Sequence, residues 1–449
     1  MIRTLAILLG ASALAACGST QPSSPANQLG PNPALPEPSI TLLPGMHLAK
    51  VSGWTKGGAP SVPKGFQVQM MANGLSSPRN VYPLPNGDIL IVQSLKMAKE
   101  PVERPKNPMF DFIFGLAHAS SMGGATNQIT LLRDANGDGK PELQSVLVDH
   151  LNSPFGVVVV GNALYVADTD AILRFPFTPG QTRITAPPQK LIDLPAGLIN
   201  HHWTKSLTAS PDGSKLYVGV GSNSNTGERG MEAETNRAAI WEVDTKTGAF
   251  RIYASGLRNP NGLTFYPGSQ TLWTVVNERD ELGPNLVPDY MTSVKDGGFY
   301  GWPYSYWGQH VDPRVRPQQP DLVKKAIMPD YSLSSHVAPL GLAFYSGTSF
   351  PAQFSGGAFV GEHGSWNRPD LNGYRVVFVP FRNGQPAGKP IDFVWDFVGQ
   401  DGKVRGRPVG VAIDRTGALI IADDVGNTVW RVSYAAKPVK VSGAQMISF

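Results

Sequence analysis

The chain contains 449 residues, with 38 Lys or Arg against 34 Asp or Glu, so its formal net charge is +4. No basic tract accompanies this charge, which argues against nucleic-acid binding. Cys17 is the single cysteine, so the chain cannot form an internal disulfide or a site of several thiolates. The 49 glycines and 40 prolines are spread among short β-type runs, which indicates many tight turns in a globular all-β protein.

The N-terminal residues predict export and lipid attachment. Arg3 is followed by an apolar run through Ala16, which is too short to span a bilayer and has the length of a signal peptide. The segment 14–17 then reads as a bacterial lipobox that ends in Cys17. We expect residues 1–16 to be a lipoprotein signal peptide and Cys17 to become the lipidated first residue. The alternative is a plain signal peptide with an incidental cysteine.

Residues 17–40 are rich in Ser, Pro, Gln and Asn and have no apolar period, which predicts a flexible tether. No second long apolar run follows it, so the membrane would be reached through the lipid anchor only. The protein is therefore expected in the bacterial cell envelope, facing the periplasm. Residues 41–449 are expected to form one folded domain.

An internal repeat predicts the architecture of this domain. A Gly/Pro-rich entry, a strand, a turn and a second strand occupy residues 74–92, and similar segments begin near residues 151, 205, 256, 338 and 407. Six irregularly spaced copies are typical of a six-bladed β-propeller with loop insertions. A β-sandwich or a two-domain β protein is the lesser alternative.

Polar residues stand just before the first strand of several copies, where the blades of a propeller converge on its axis. An apolar ring would pack better without them, so they predict a site there. Arg405 and Arg407 alternate in an extended segment and would present two guanidinium groups to one anionic ligand. The residues in this register are His202, Arg258, Asn259, Arg405 and Arg407.

Five motifs resemble the soluble quinoprotein glucose/sorbosone dehydrogenase family, and most closely its sorbosone dehydrogenase-like branch. They lie at residues 200–205, 256–263, 298–303, 363–368 and 405–407, and the resemblance runs from about residue 62 to 434. It implies the cofactor pyrroloquinoline quinone (PQQ) with Ca²⁺, and oxidation of an aldose or a related sugar or aldehyde. It also implies hydride transfer to the quinone with a histidine as general base. An unidentified quinone or cytochrome would accept the electrons.

The resemblance implies roles for individual residues. His202 would be the general base, with His201 as the runner-up, and Arg258 would lie over the quinone. The backbone carbonyls of Gly283 and Pro284 would ligate Ca²⁺, since carbonyl oxygens suit a hard cation. The residues expected to bind the cofactor are Arg258, Asn259, Asn261, Arg368, Arg405 and Arg407.

The chain departs from the family pattern at three points, the first being His201, which stands where some members have an acidic residue before the catalytic histidine. The carboxylate that would orient the base is missing from residues 220–225, so Glu228, Glu232 or Glu234 would have to serve. The lysine expected to reach PQQ after residue 361 is also missing, which leaves His363 or Arg368 as its substitute. These departures affect substrate specificity more than the fold.

Two further segments allow more than one interpretation. Residues 94–123 form an insertion that would act as a lid over the site or pack away from it. Residues 134–139 match the first half of a calcium loop, but Ser145 replaces the expected glutamate, which favours a plain hairpin turn.

Two other functions fit a propeller of this size. One is a cofactor-free lipoprotein that binds a protein or a glycan. The other is a metal-dependent lactonase, which would need carboxylates on the axis in place of Arg405 and Arg407.

Overall fold

A computed structural model describes residues 28–40, 45–95, 126–197 and 199–435. Cys17 and nearly all of the 94–123 insertion lie outside these residues, so the lipobox and lid predictions remain predictions. Among the described residues, no helix has the length and apolar character needed to cross a bilayer.

Six sheets, antiparallel except for the pairing of Phe250–Ser255 with Gly298–Phe299, account for almost all regular structure in the described residues. The strands are β1 (Leu29–Gly30), β2 (Phe66–Ala72), β3 (Pro78–Pro83), β4 (Ile89–Gln93), β5 (Gln128–Arg133), β6 (Leu143–Val148), β7 (Gly156–Val160), β8 (Ala163–Ala167), β9 (Ala171–Pro176), β10 (Gln189–Asp193), β11 (Leu207–Ala209), β12 (Lys215–Val220), β13 (Ala239–Asp244), β14 (Phe250–Ser255), β15 (Pro260–Phe265), β16 (Leu272–Val276), β17 (Pro288–Ser293), β18 (Gly298–Phe299), β19 (Ser305–Tyr306), β20 (His310–Val311), β21 (Tyr331–Ser335), β22 (Pro339–Phe344), β23 (Ala358–Glu362), β24 (Arg375–Val379), β25 (Phe381–Arg382), β26 (Gln385–Pro386), β27 (Ile391–Val394), β28 (Pro408–Ile413), β29 (Leu419–Asp423) and β30 (Thr428–Tyr434). One short helix, α1, spans Pro320–Val323, and 3₁₀ turns span Met231–Glu234 and Ala352–Phe354.

The sheets are the six blades of a β-propeller. In chain order the blades are β3–β6, β7–β10, β11–β14 with β18, β15–β17 with β21 and β1, β22–β24 with β27, and β28–β30 with β2. The first strands β3, β7, β11, β15, β22 and β28 each contact the next in a closed ring. The predicted fold is therefore confirmed, and the polar entry to each first strand lies at one end of the axis.

Glycine allows the inner strands to approach closely around this axis. A Cβ atom on Gly341 would lie 2.2 Å from the carbonyl oxygen of Val409, and one on Gly361 would lie 2.3 Å from the same oxygen. Any side chain at these positions would clash with backbone. Buried aliphatic and aromatic side chains fill the space between neighbouring blades, as in the cluster of Phe359, Phe378 and Phe393 in the fifth blade.

The ring is closed by pairing an early strand with a late one. β2 runs antiparallel to β30, with Met70 opposite Trp430. The Phe66 ring packs edge-on against the rings of Phe350, Phe354 and Phe393 at centroid distances of 4.8 to 5.5 Å. This closure joins the sixth blade to the start of the domain.

The N-terminal segment is not a free tether over its whole predicted length. Gln28 is only 1% exposed, and its Nε2 donates to the carbonyl oxygen of Asn285 at 2.6 Å. Leu29 pairs with Leu333 on the edge strand β21. The prediction of a flexible segment does not hold at residues 28–30, because edge pairing uses backbone groups that composition does not reveal.

Candidate active site

Polar side chains from all but one of the blades meet at the axial end where the first strands begin. His202, Arg258 and Arg407 precede β11, β15 and β28, and Arg79 is the second residue of β3. They are met by side chains from the ends of second strands, including Asp280, His363 and Asp424. The side chains form two connected groups, one around His202 and one around Asp424.

His202 is held as a neutral base. Its Nδ1 lies 2.7 Å from the carbonyl oxygen of Ser222, and since a carbonyl can only accept, Nδ1 carries the proton and Nε2 keeps its lone pair. Burial, followed by the positive charge of Arg258, lowers the pKa of His202 well below its ordinary value. The imidazole is therefore neutral at neutral pH and able to accept a proton.

A glycine makes room for this histidine. A Cβ atom on Gly221 would lie 2.5 Å from the Cβ of His202 and 2.5 Å from Oδ1 of Asn259. The amide oxygen of Asn259 is buried and has no hydrogen-bond partner among the described residues. Because this oxygen is closed to solvent, the contact predicted between Asn259 and the cofactor stays a prediction.

Among the residues that the structure describes, no carboxylate accepts a hydrogen bond from the His202 ring. Glu234 instead fixes the loop that carries the Ser222 carbonyl: it accepts from the backbone N–H of Asn223 at 2.7 Å and from the hydroxyl of Ser224. Glu228 accepts from the N–H groups of residues 225 and 226 and does not reach the ring. The predicted carboxylate partner is therefore replaced by a backbone carbonyl whose position Glu234 maintains.

Arg258 is locked by its surroundings. The guanidinium is 4% exposed and pairs with Asp280 at 3.2 Å. Its remaining N–H groups reach the side chain of Asn225 and three backbone carbonyls, including that of Glu278 at 2.7 Å, so all five donors are used. Arg258 can act on a bound group only through its charge and its planar face.

Asn261 does not face the site. It is completely buried, its Oδ1 accepts from Thr204 and Ser206 of the neighbouring blade, and its Nδ2 donates to the carbonyl of Asn259. The prediction that Asn261 binds the cofactor is wrong, because its polar atoms are consumed in joining the third and fourth blades.

The second group centres on Asp424. Its carboxylate receives Arg79 at 2.6 Å and His363 Nε2 at 3.0 Å. Burial acts to raise the pKa of Asp424, but His363 and Arg79 outweigh it and lower that pKa to about 2. Burial lowers the pKa of His363 to about 4, so a neutral His363 donates to an ionised Asp424.

Arg407 joins this group and Arg405 does not. Arg407 Nη2 donates to the hydroxyl of Tyr374 at 2.7 Å, and its guanidinium lies 4.9 Å from the centre of that ring. Arg405 Nε lies against Gly399, and its backbone N–H donates to Phe397 at 2.8 Å. The structure places Arg407 near Asp424 and gives no such contact for Arg405 among the described residues, so the convergence of both arginines on one ligand stays a prediction.

Sequence reasoning missed Arg79. Its guanidinium stacks over Trp203 at 5.3 Å, and its Nε is buried without a partner among the described residues. The repeat offered a signal, since aligning the Gly-Leu-x-x-Pro entries puts Arg79 at the position that Asn261 holds in the fourth blade. A long basic side chain there reaches the axis, whereas asparagine does not.

These residues fit an anion with several carboxylates. Arg79, Arg258 and Arg407 outnumber the two carboxylates that pair with them, Asp280 and Asp424. Arg79 and Arg407 keep donors that have no hydrogen-bond partner among the described residues, whereas all five donors of Arg258 are used. The tricarboxylate PQQ suits this charge and donor set.

The backbone carbonyls of the predicted calcium loop already accept hydrogen bonds from other parts of the protein. The four consecutive carbonyls of residues 282–285 each accept a hydrogen bond, from Ser39 N, His336 Nε2, Arg368 Nη1 with Ser335 Oγ, and Gln28 Nε2 respectively. The Nδ1 of His336 lies 3.0 Å from the amide of Asn367, which leaves Nε2 as the donor to Gly283.

Arg368 makes the loop unfavourable for a second cation. A Ca²⁺ ion on the Pro284 carbonyl would share that oxygen with the guanidinium of Arg368, and the two positive charges would repel each other. The residues present therefore do not fit the predicted Ca²⁺ ion at Gly283 and Pro284.

The acidic hairpin between β5 and β6 lies at the opposite end of its blade from the site. Ligand atoms of Asp134, Asp138 and Glu142 lie within 4.8 Å of one another. Asp134 accepts from the N–H groups of Gly137 and Gly139 at 2.7 Å, as in a tight turn. This cluster takes no part in the axial site.

Comparisons with known proteins agree with this architecture. Residues 167–367 match the family model described as Glucose / Sorbosone dehydrogenase, and residues 315–435 match the model described as TrAA12-like. An uncharacterised protein of Borreliella burgdorferi is 28% identical over 294 residues, which is 63% of this chain and 76% of that protein. Aldose sugar dehydrogenase YliI of Escherichia coli is 31% identical over 111 residues, or 24% of this chain and 28% of that enzyme.

Solved structures share the fold at low sequence identity. The holo form of the pyranose dehydrogenase PQQ domain from Coprinopsis cinerea has a TM-score of 0.66 and 19% identity, covering 89% of this chain and 99% of that one. A calcium structure of a Trichoderma reesei carbohydrate-active enzyme of family AA12 has a TM-score of 0.67 and 18% identity, covering 86% and 99%. The predicted resemblance to the glucose/sorbosone dehydrogenase family is confirmed.

Proposed function

We propose that the protein is a PQQ-dependent dehydrogenase that oxidises an aldose or a related sugar or aldehyde. The proposal rests on one observation: a neutral histidine, His202, lies at the same end of the axis as three arginines, Arg79, Arg258 and Arg407. The PQQ domain of the Coprinopsis cinerea enzyme and the Escherichia coli aldose sugar dehydrogenase are the relatives whose names support the same chemistry.

In this proposal His202 removes the hydroxyl proton of the substrate. Its Nε2 is the basic atom, because Nδ1 donates to the Ser222 carbonyl. When bound, PQQ supplies an acceptor for the hydride that leaves the sugar carbon. Loss of the proton and the hydride together converts the C–H and O–H groups of the substrate into a carbonyl.

The arginines hold and polarise the bound anion. Arg79 and Arg407 would pair with cofactor carboxylates, while Arg258 contributes charge through its face. The pairing of Arg79 and His363 with Asp424 fixes their orientation before the ligand arrives.

Titration with PQQ tests the proposal. Added PQQ should restore dye-linked oxidation of aldoses to the purified protein, and nicotinamide cofactors should not. Arg407→Ala should weaken PQQ binding by about 1.5 to 3 kcal/mol, because it removes a charge-assisted contact. Arg405→Ala is the matched control and should change affinity little. Failure of PQQ to bind at micromolar concentration would contradict the proposal.

We also propose that Cys17 carries a lipid anchor in the bacterial cell envelope, with the enzyme facing the periplasm and passing electrons to a quinone or a cytochrome. The lipobox at residues 14–17 supports this. Metabolic labelling with a fatty acid should mark the natural chain and not Cys17→Ser. Label on the variant would contradict the assignment.

A further inference from the structure

We propose that the guanidinium of Arg368 stands in place of the calcium ion, so that this chain binds PQQ without a divalent cation. The inference rests on the proposed function and concerns how the cofactor pocket obtains its positive charge next to residues 282–285. Four features of the described residues lead to it.

The loop is fixed without an ion. Its carbonyls receive donors from three separate parts of the chain: the N-terminal segment through Gln28 and Ser39, the entry to β22 through His336, and the segment after β23 through Arg368. A metal ion that organises a loop gathers carbonyls that would otherwise point at one another. Here each carbonyl has its own protein donor, and nothing remains for an ion to organise.

Arg368 is a buried cation, and the nearby carboxylate of Asp370 does not form an ion pair with it. Arg368 is 5% exposed, its Nη1 donates to the Pro284 carbonyl and to Ser335 Oγ at 2.6 Å, and no ion pair among the described residues includes it. A buried charge is tolerated when a counter-charge is supplied. A bound anionic cofactor provides that counter-charge.

An unused donor remains on the same side chain. Arg368 Nη2 makes no hydrogen bond among the described residues and, unlike the Nε atom, is not closed to solvent. An N–H group in that state can donate to an acceptor that arrives with a ligand. A quinone or carboxylate oxygen of PQQ has the required chemistry.

The neighbouring contacts keep the charge in place. Asn367, the residue before Arg368, donates to Asp280, which in turn pairs with Arg258. Arg368 is thus connected through two residues to the arginine beside His202. Arg258 and Arg368 therefore place two positive charges near the position predicted for the ion.

The test measures PQQ binding by absorbance and calorimetry, with purified full-length protein in excess EDTA or in excess Ca²⁺. Asp138→Asn serves as the background, because the acidic hairpin at Asp134, Asp138 and Glu142 could take up Ca²⁺ on its own. We expect equal PQQ affinity in the two solutions. PQQ binding that appears only with Ca²⁺ would overturn the inference and leave the proposed function standing. No binding in either solution would overturn the proposed function, and the inference with it.

Substitution of Arg368 provides a second, independent test. In EDTA, Arg368→Gln should reduce PQQ affinity by about 10- to 100-fold, and Arg368→Lys should lose less, because it keeps the charge. Unchanged affinity in a folded Arg368→Gln protein, verified by circular dichroism, would overturn the inference. If Arg368→Gln does not fold, the comparison of EDTA with Ca²⁺ in the parent protein decides alone.

Discussion

His202 is the residue on which the proposed chemistry depends, and its removal separates catalysis from cofactor binding. His202→Ala should reduce turnover by roughly 10² to 10⁴-fold, the usual contribution of a general base, with PQQ affinity nearly unchanged. His201→Ala is the matched control, because its ring lies 5.0 Å from that of His202. Recovery of the His202→Ala protein by excess PQQ would show that the histidine binds cofactor instead.

The pH dependence of the reaction should reflect the lowered pKa of His202. The base must be neutral, and burial with the nearby Arg258 charge disfavours its protonation. As pH falls from 7 through 6.5, kcat/KM should therefore stay constant and decline only well below the ordinary histidine range. An acid limb centred near 6.5, measured with PQQ saturating, would mean that another group is the base.

At this scale the sequence identified side chains better than their partners. His202, Arg258 and Arg407 were found because each precedes a repeated strand. The carbonyl that orients His202 could not be found, since every residue has one and no side chain marks it. Asn261 was predicted from the family resemblance alone, and its polar atoms are instead used in contacts between two blades.

Among the elements, the turn from Ser222 to Ser224 has the most direct effect on the base. Glu234→Ala leaves the N–H of Asn223 and the hydroxyl of Ser224 without their acceptor, so the Ser222 carbonyl should become mobile. We expect kcat to fall about 10-fold at constant PQQ affinity, with partial recovery in Glu234→Gln. Steady-state kinetics with saturating PQQ measure both.

Glu232→Ala on the same 3₁₀ turn is the control for Glu234. Glu232 has no side-chain contact to residues 222–224 among those that the structure describes, and its loss should leave kcat unchanged. If both variants lose activity equally, the turn acts through general stability and Glu234 has no positioning role.

At the level of elements, strands marked by a side-chain pattern could be predicted, whereas strands formed by backbone pairing alone could not. Strands and turns of the repeat were predicted because alternating apolar residues and Gly/Pro entries mark them. β1 was missed because a two-residue edge strand forms through backbone hydrogen bonds alone. Composition near residue 28 gave no sign of the buried Gln28 side chain.

For the whole molecule, the closure of the ring by β2 should be a main source of stability. Phe66→Ala removes a partly buried ring from contact with three other phenylalanines and should cost about 2 kcal/mol of unfolding free energy. Chemical denaturation measures this as a lower midpoint at an unchanged slope. Met328→Ala, at a side chain that is 58% exposed, should leave the midpoint where it was.

Because the first and last blades meet when the ring closes, the active site can form only late in protein synthesis. Arg79 belongs to the first blade and Asp424 to the last, 345 positions later, yet they form one ion pair on the axis. Nearly the entire chain must therefore be synthesised before Arg79 and Asp424 can form their ion pair. A product cut short before β30 would lack the strand that receives β2, and with it the closed ring, so truncated chains should carry no partial activity.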